Sequence, residues 1–208
     1  MKNYVITIAR GFGSGGKEIG TKLAGQLGIP CYEKQILKMA SEYSGISERL
    51  FAEVDEKLRG HSLMKRLLTT PPDYVVEPSD KKFTSDQNLY NIQARIIQEM
   101  AKTESFIVIG KCADYILKDR TNVISVYIEA PRSECVESIV RKMNVSEVRA
   151  NELIQKTDKY RADYYKYYTG GNYWTNPVNY DLTLNSARVG REKCVEVIRD
   201  YLHIKFGI

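Results

Sequence analysis

No apolar run in this 208-residue chain approaches the roughly 18 to 20 residues that a membrane-spanning helix needs. The first such run, Val5 to Ala9, follows Met1-Lys2-Asn3-Tyr4 and is too short for a secretory-signal core, so a cytoplasmic location is expected. Histidine is scarce. His61 and His203 stand apart, with no partner at metal-ligand spacing, and take no role. The four cysteines, Cys31, Cys112, Cys135 and Cys194, form no C-x-x-C pair. A zinc site or a thioredoxin-like motif is therefore unsupported, and buried reduced thiols are expected. Charge of one sign is lacking too. The net +5 comes from 31 Lys+Arg against 26 Asp+Glu, with no block of five or six basic residues. The one basic stretch with interleaved aromatics, Lys156 to Tyr168, suits a nucleic acid or a phosphorylated small molecule equally well.

What is present is an ordinary globular composition, 43% hydrophobic and 27% charged, in a chain long enough for one sizeable core. Short apolar runs read as strands over Tyr4–Ala9, Ile29–Tyr32, Ser105–Ile109, Asn122–Glu129 and Tyr180–Asn185. Helical spacing recurs over Lys17–Leu27, from Ile36 to a break near Gly45, and from a capping Ser47 through Leu50, Phe51 and Val54. It returns over Thr84–Lys102, Arg132–Met143, Ser146–Tyr168 and Gly190–Phe206. Residues 69 to 82 hold Pro71, Pro72 and Pro78 among charges and read as an exposed loop. Strands alternating with helices imply parallel pairing through right-handed crossovers, hence one three-layer α/β domain. The strands at 105 and 122 are apolar almost throughout, as expected when helices cover both sheet faces.

The most informative stretch is Gly11-Phe12-Gly13-Ser14-Gly15-Gly16-Lys17-Glu18. It matches G-x-x-x-x-G-K between a strand and a helix, where backbone N–H groups and the helix N-terminus make an anion site and Lys17 reaches the outer phosphates. Gly11, Gly13, Ser14, Gly15, Gly16, Lys17 and Glu18 are thus the candidate ATP phosphate loop. Glu18 stands where Ser or Thr would hold magnesium. Two alternatives remain: a plain glycine-rich turn, or a dinucleotide fingerprint (Gly11-x-Gly13-x-x-Gly16) with Glu33 as its acidic residue.

Ile6 to Ile19, Val108-Ile109-Gly110-Lys111-Cys112-Ala113-Asp114-Tyr115, Asp158-Lys159-Tyr160-Arg161-Ala162-Asp163-Tyr164-Tyr165 and Pro177-x-x-Tyr180-Asp181-Leu182 together resemble the cytidylate kinase-like family of P-loop proteins. The resemblance implies a nucleoside monophosphate kinase-like fold with a five-stranded parallel sheet. Its core would span about 1–32, 103–143 and 178–208, its acceptor-binding insert about 33–102 and its lid about 144–177. It further implies ATP and Mg2+ as cofactors and phosphoryl transfer to a small molecule, a nucleoside monophosphate such as CMP or dCMP, rather than to a nucleic acid or at a membrane. A homo-oligomer is left open. Lys17, Asp158 and Arg161 are then the catalytic set, the last two from the Asp-x-x-Arg of the lid. Glu33, Lys38, Lys111 and Asp114 position the acceptor, and Arg141, Arg149, Lys159 and Arg161 close over the transferring group. Magnesium would be held through phosphate oxygens and water. Lys111 replaces an arginine, and lysine lacks its bidentate fork; Cys135 stands where an arginine is common. Transfer to a hydroxyl acceptor would want a carboxylate base. Asp55-Glu56 is a candidate whose plainer reading is a solvated pair. A non-catalytic nucleotide-binding module is the third option. Tyr164, Tyr165, Tyr167 and Tyr168 read as packing or oligomer-contact residues.

Overall fold

The computed structural model describes residues 3–57 and 78–208, and only the backbone of 54–57. His61, most of the loop expected over 69–82 and the side chains of Asp55 and Glu56 lie outside the described residues. Within them, five strands form one sheet in the order β2-β3-β1-β4-β5, all pairs parallel. The strands are β1 (Val5–Arg10), β2 (Cys31–Tyr32), β3 (Phe106–Ile109), β4 (Val123–Glu129) and β5 (Leu182–Asn185). The central strand β1 pairs on both sides, Ile8 standing level with Ile109 and with Val126. Here β3 separates β1 from β2, whereas a dinucleotide fold keeps its second strand beside the first. The dinucleotide reading falls on this order.

Alternation along β1 explains why both faces are apolar. Ile6 and Ile8 turn to α1 (Gly16–Leu27) and α9 (Arg191–Phe206), packing with Ile19, Leu23, Cys194, Ile198 and Leu202. Val5 turns the other way, among Ile36 of α2 (Gln35–Ser44), Ile97 of α4 (Asp86–Thr103) and Ala113 of α5 (Ala113–Ile116). Leu37, Ala40, Phe51 from α3 (Glu48–Lys57), Leu89 and Ile92 form a satellite core on this side. Two long helices start at serine caps. Ser85 accepts from Asn88 N–H at α4, and Ser146 from Arg149 N–H at α7 (Glu147–Tyr168). The helix α6 (Arg132–Met143) coincides with its expected span.

The last strand is shorter than expected. Pro177–Asn179 closes a 3-10 turn, and the Asp181 side chain turns back to accept from Ser125 N–H, so extended pairing begins at Leu182. The four-residue helices α5 and α8 (Ser186–Val189) were not expected. No described helix is long and apolar enough to cross a membrane.

Three of the α7 tyrosines pack in an aromatic cluster. Tyr164, Tyr165 and Tyr168 are buried with Tyr90, Tyr127, Trp174 and Tyr180, the Tyr90 and Tyr168 rings stacked at 3.8 Å. This aromatic cluster fixes α7 against the carboxyl end of the sheet.

Candidate active site

The glycine-rich loop joins β1 to α1 at the carboxyl edge of the sheet. Gly15 caps α1 in the left-handed conformation and offers no side-chain acceptor. The first bond into the helix runs from Ile19 N–H to the Gly15 carbonyl. The N–H groups of Gly16, Lys17 and Glu18 precede it and aim outward at the positive end of the helix dipole, the arrangement an anion fits. Gly13 has φ +98° and lies against α6, where an added Cβ would come within 2.7 Å of the Cys135 carbonyl oxygen. The Cys135 Cα and Cβ would both lie 2.9 Å from the same added atom, so the loop seats directly on the first turn of α6.

A cleft of about 550 Å3 opens on one side of the loop, lined by Arg10, Glu33, Lys34, Gly110, Lys111, Asp114, Tyr160 and Arg161 among others. Three of the four expected acceptor residues meet here: Glu33, Lys111 and Asp114. Lys38 does not line it; one helical turn away it faces Glu42 at 3.7 Å on the outer side of α2. Glu33 holds Lys17 Nζ at 2.6 Å through one oxygen and Arg10 Nη2 at 2.9 Å through the other. Burial favours the neutral acid, yet the hydrogen bond from Lys17 and the charge of Arg10 outweigh it and hold the Glu33 carboxyl below its usual range. Gly110, Lys111 and Cys112 are left-handed in succession, with φ of 76°, 64° and 52°. Two non-glycine residues in that region mark a strained turn, and it is this turn that brings Lys111 to the cleft.

The helix α7 docks on the loop through the expected Asp-x-x-Arg. Asp158 Oδ1 accepts from Phe12 N–H at 2.8 Å. Arg161 Nη1 donates to the Arg10 carbonyl at 2.8 Å and stands 3.4 Å from Asp158. Burial raises the Asp158 carboxyl, against the Phe12 N–H and Arg161, which lower it. Burial, then the nearby charge of Arg10, lowers the Arg161 guanidinium to about 10. Two further basic residues of α7 take no part. Arg149 pairs with Glu152 and Lys159 with Asp163, exposed i,i+3 and i,i+4 pairs on its outer face. Arg141 lies across the loop, in a groove of about 380 Å3 with Gly13, Ser14, Ser186 and Arg191. Glu18 also turns to that groove, its Oε2 taking Arg191 at 2.7 Å and Lys142 at 3.1 Å. Arg10, Arg191 and Glu129 stand at these sites although they are not among the expected residues; Glu129 lies beside Gly11 and accepts from the Tyr127 hydroxyl at 2.5 Å. Among the described residues no group of three His, Cys, Asp or Glu is placed to hold a metal ion.

A sequence profile of the cytidylate kinase-like family matches residues 5–188. The chain belongs to that family. The match takes in the loop, the left-handed turn after β3 and the Asp158–Arg161 pair. Among solved structures, an uncharacterized protein from Eubacterium ventriosum superposes with a TM-score of 0.70 at 25% identity, covering 96% of this chain and 98% of that one. Shikimate kinase from Bacteroides thetaiotaomicron superposes at 0.52 with 11% identity and the same coverage, a likeness of fold alone. No curated protein matches. Family and fold are thus those of P-loop kinases.

Proposed function

We propose that the chain transfers a phosphoryl group from ATP to a small acceptor in the cytoplasm, the acceptor being a nucleoside monophosphate such as CMP or dCMP. One observation carries this reading: the lysine of the phosphate loop is bonded to Glu33, a wall residue of the same cleft that the arginine of α7 lines. Arg161 is held there by its bond to the Arg10 carbonyl. Phosphoryl transfer asks mainly for positioning and charge neutralisation, which two cations beside an uncapped helix N-terminus provide.

In this reading the N–H groups of Gly16, Lys17 and Glu18 hold the donor phosphates, and Lys17 exchanges Glu33 for the outermost of them. The donor nucleoside lies in the groove on the Arg141 and Arg191 side. Magnesium, arriving with the nucleotide, would supply charge neutralisation on the donor phosphates; among the described residues no cluster of three His, Cys, Asp or Glu is placed to hold it. Arg161 neutralises charge developing on the transferring group, oriented by Asp158. Lys111 and Asp114 position the acceptor, in the cleft that Glu33 also lines. The insert over 33–102 and the lid over 144–177 are assigned on this basis, α7 serving as the wall that excludes water.

A second reading, transfer to a hydroxyl, draws on Asp158, whose raised carboxyl is shifted in the direction a proton acceptor needs. ADP release measured with CMP, dCMP, UMP, shikimate and gluconate separates the two. Turnover on a nucleotide is expected. Turnover on the hydroxyl compounds alone favours the second reading, and ATP binding with none favours a non-catalytic nucleotide-binding module.

A further inference from the structure

Arg10 has no part in the roles assigned above, yet the fold is built around its guanidinium. It is the last residue of β1 and its side chain is only 15% exposed, on the cleft floor. Two glycines make the room it occupies. A Cβ on Gly16 would come within 2.5 Å of Arg10 Cβ, and one on Gly110, at φ +76°, would collide with Arg10 Nη1. Arg161, at 18% exposure, lies in the same cleft, so two guanidinium groups are held near each other out of water. Such an arrangement is costly unless anions share the space. In this network Arg10, Lys17 and Arg161 have two carboxylates between them, Glu33 and Asp158. Glu33 is divided between Arg10 and Lys17, and its carboxylate marks a position where anionic oxygens fit between the loop and the cleft.

We propose that Arg10 binds the anionic group of the acceptor, with the Glu33 carboxylate standing in that place until the acceptor arrives. The group recognised is a set of anionic oxygens, the monophosphate of a nucleotide or the carboxylate of a hydroxy acid, which the planar guanidinium can meet as a fork. The inference rests on the phosphoryl-transfer reading and adds a residue that reads the acceptor. It also accounts for Lys111: a point charge suffices at that turn if the fork comes from β1.

The test is steady-state kinetics of Arg10→Gln and Arg10→Lys with whichever of CMP, dCMP, UMP, shikimate or gluconate the wild type turns over, at varied acceptor and varied ATP. Arg10→Gln is expected to raise the acceptor KM by roughly 10- to 100-fold, the loss of one charge-assisted contact. It should move the ATP KM by less than about threefold. Arg10→Lys, which keeps the charge and loses the fork, should fall between, and it carries the test if Arg10→Gln does not fold. An unchanged acceptor KM in a folded variant overturns the assignment, as does an ATP KM that moves as far as the acceptor's. Wild-type protein with no turnover on any of the five overturns the phosphoryl-transfer reading and this inference together. Wild-type turnover with an unmoved acceptor KM removes Arg10 alone.

Discussion

Asp114 is buried at the wall of the cleft, where its carboxylate accepts from the Tyr165 hydroxyl at 2.7 Å. Burial raises its pKa to about 6, although the Tyr165 hydrogen bond pulls the other way. The folded protein therefore holds this proton more tightly than the unfolded chain, whose aspartates titrate near 4. The stabilisation is complete below about pH 4 and is lost as pH rises through about 6. A two-unit shift corresponds to about 3 kcal/mol. Asp114→Asn removes the ionisation, so its melting temperature relative to wild type should climb between pH 4.5 and pH 8; an equal difference at both would contradict the burial argument. At this scale the sequence was legible where a motif named the residue and not where the helix phase decided. Glu33, Lys111 and Arg161 line the cleft and Lys17 is tied to it through Glu33, whereas Lys38, Arg149 and Lys159 pair with carboxylates one turn along their own helices. Arg10 was passed over because nothing local sets it apart. Its setting depends on Gly110, a hundred residues away.

The connection between the loop and its neighbouring helices decides whether the site is formed. Gly13→Ala would place a methyl 2.7 Å from the Cys135 carbonyl oxygen at φ +98°, where an L side chain is strained as well. We expect this variant to lower the melting temperature and to weaken Mg-ATP binding by calorimetry; unchanged values in both would show that the loop does not seat on α6. The cap of α7 is a milder lever. Ser146→Ala removes the acceptor for Arg149 N–H and should cost about 1 kcal/mol in urea denaturation, with no cost expected if the cap contributes nothing. Long helices were readable because several apolar turns repeat, and α6 and α7 fall within a residue of their expected spans. The helices α5 and α8 have four residues each, too few to show a period, and β2 has only two in pairing.

For the whole molecule, alternation of strand and helix gave the parallel three-layer class, but the order β2-β3-β1-β4-β5 rests on contacts between segments a hundred residues apart. That order places the glycine-rich loop at the centre of the sheet edge, with the cleft on one side and the groove of Arg191 on the other. The central claim is that this loop and Lys17 grip polyphosphate. Lys17 is 67% exposed and its pair with Glu33 adds little to stability, so Lys17→Ala should keep the fold. Calorimetric titration of Mg-ATP into wild type and Lys17→Ala, with far-UV circular dichroism of both, tests this most directly. The account predicts binding by the wild type, a loss of at least about tenfold in the variant and superimposable spectra. Equal affinity in the two proteins would contradict it.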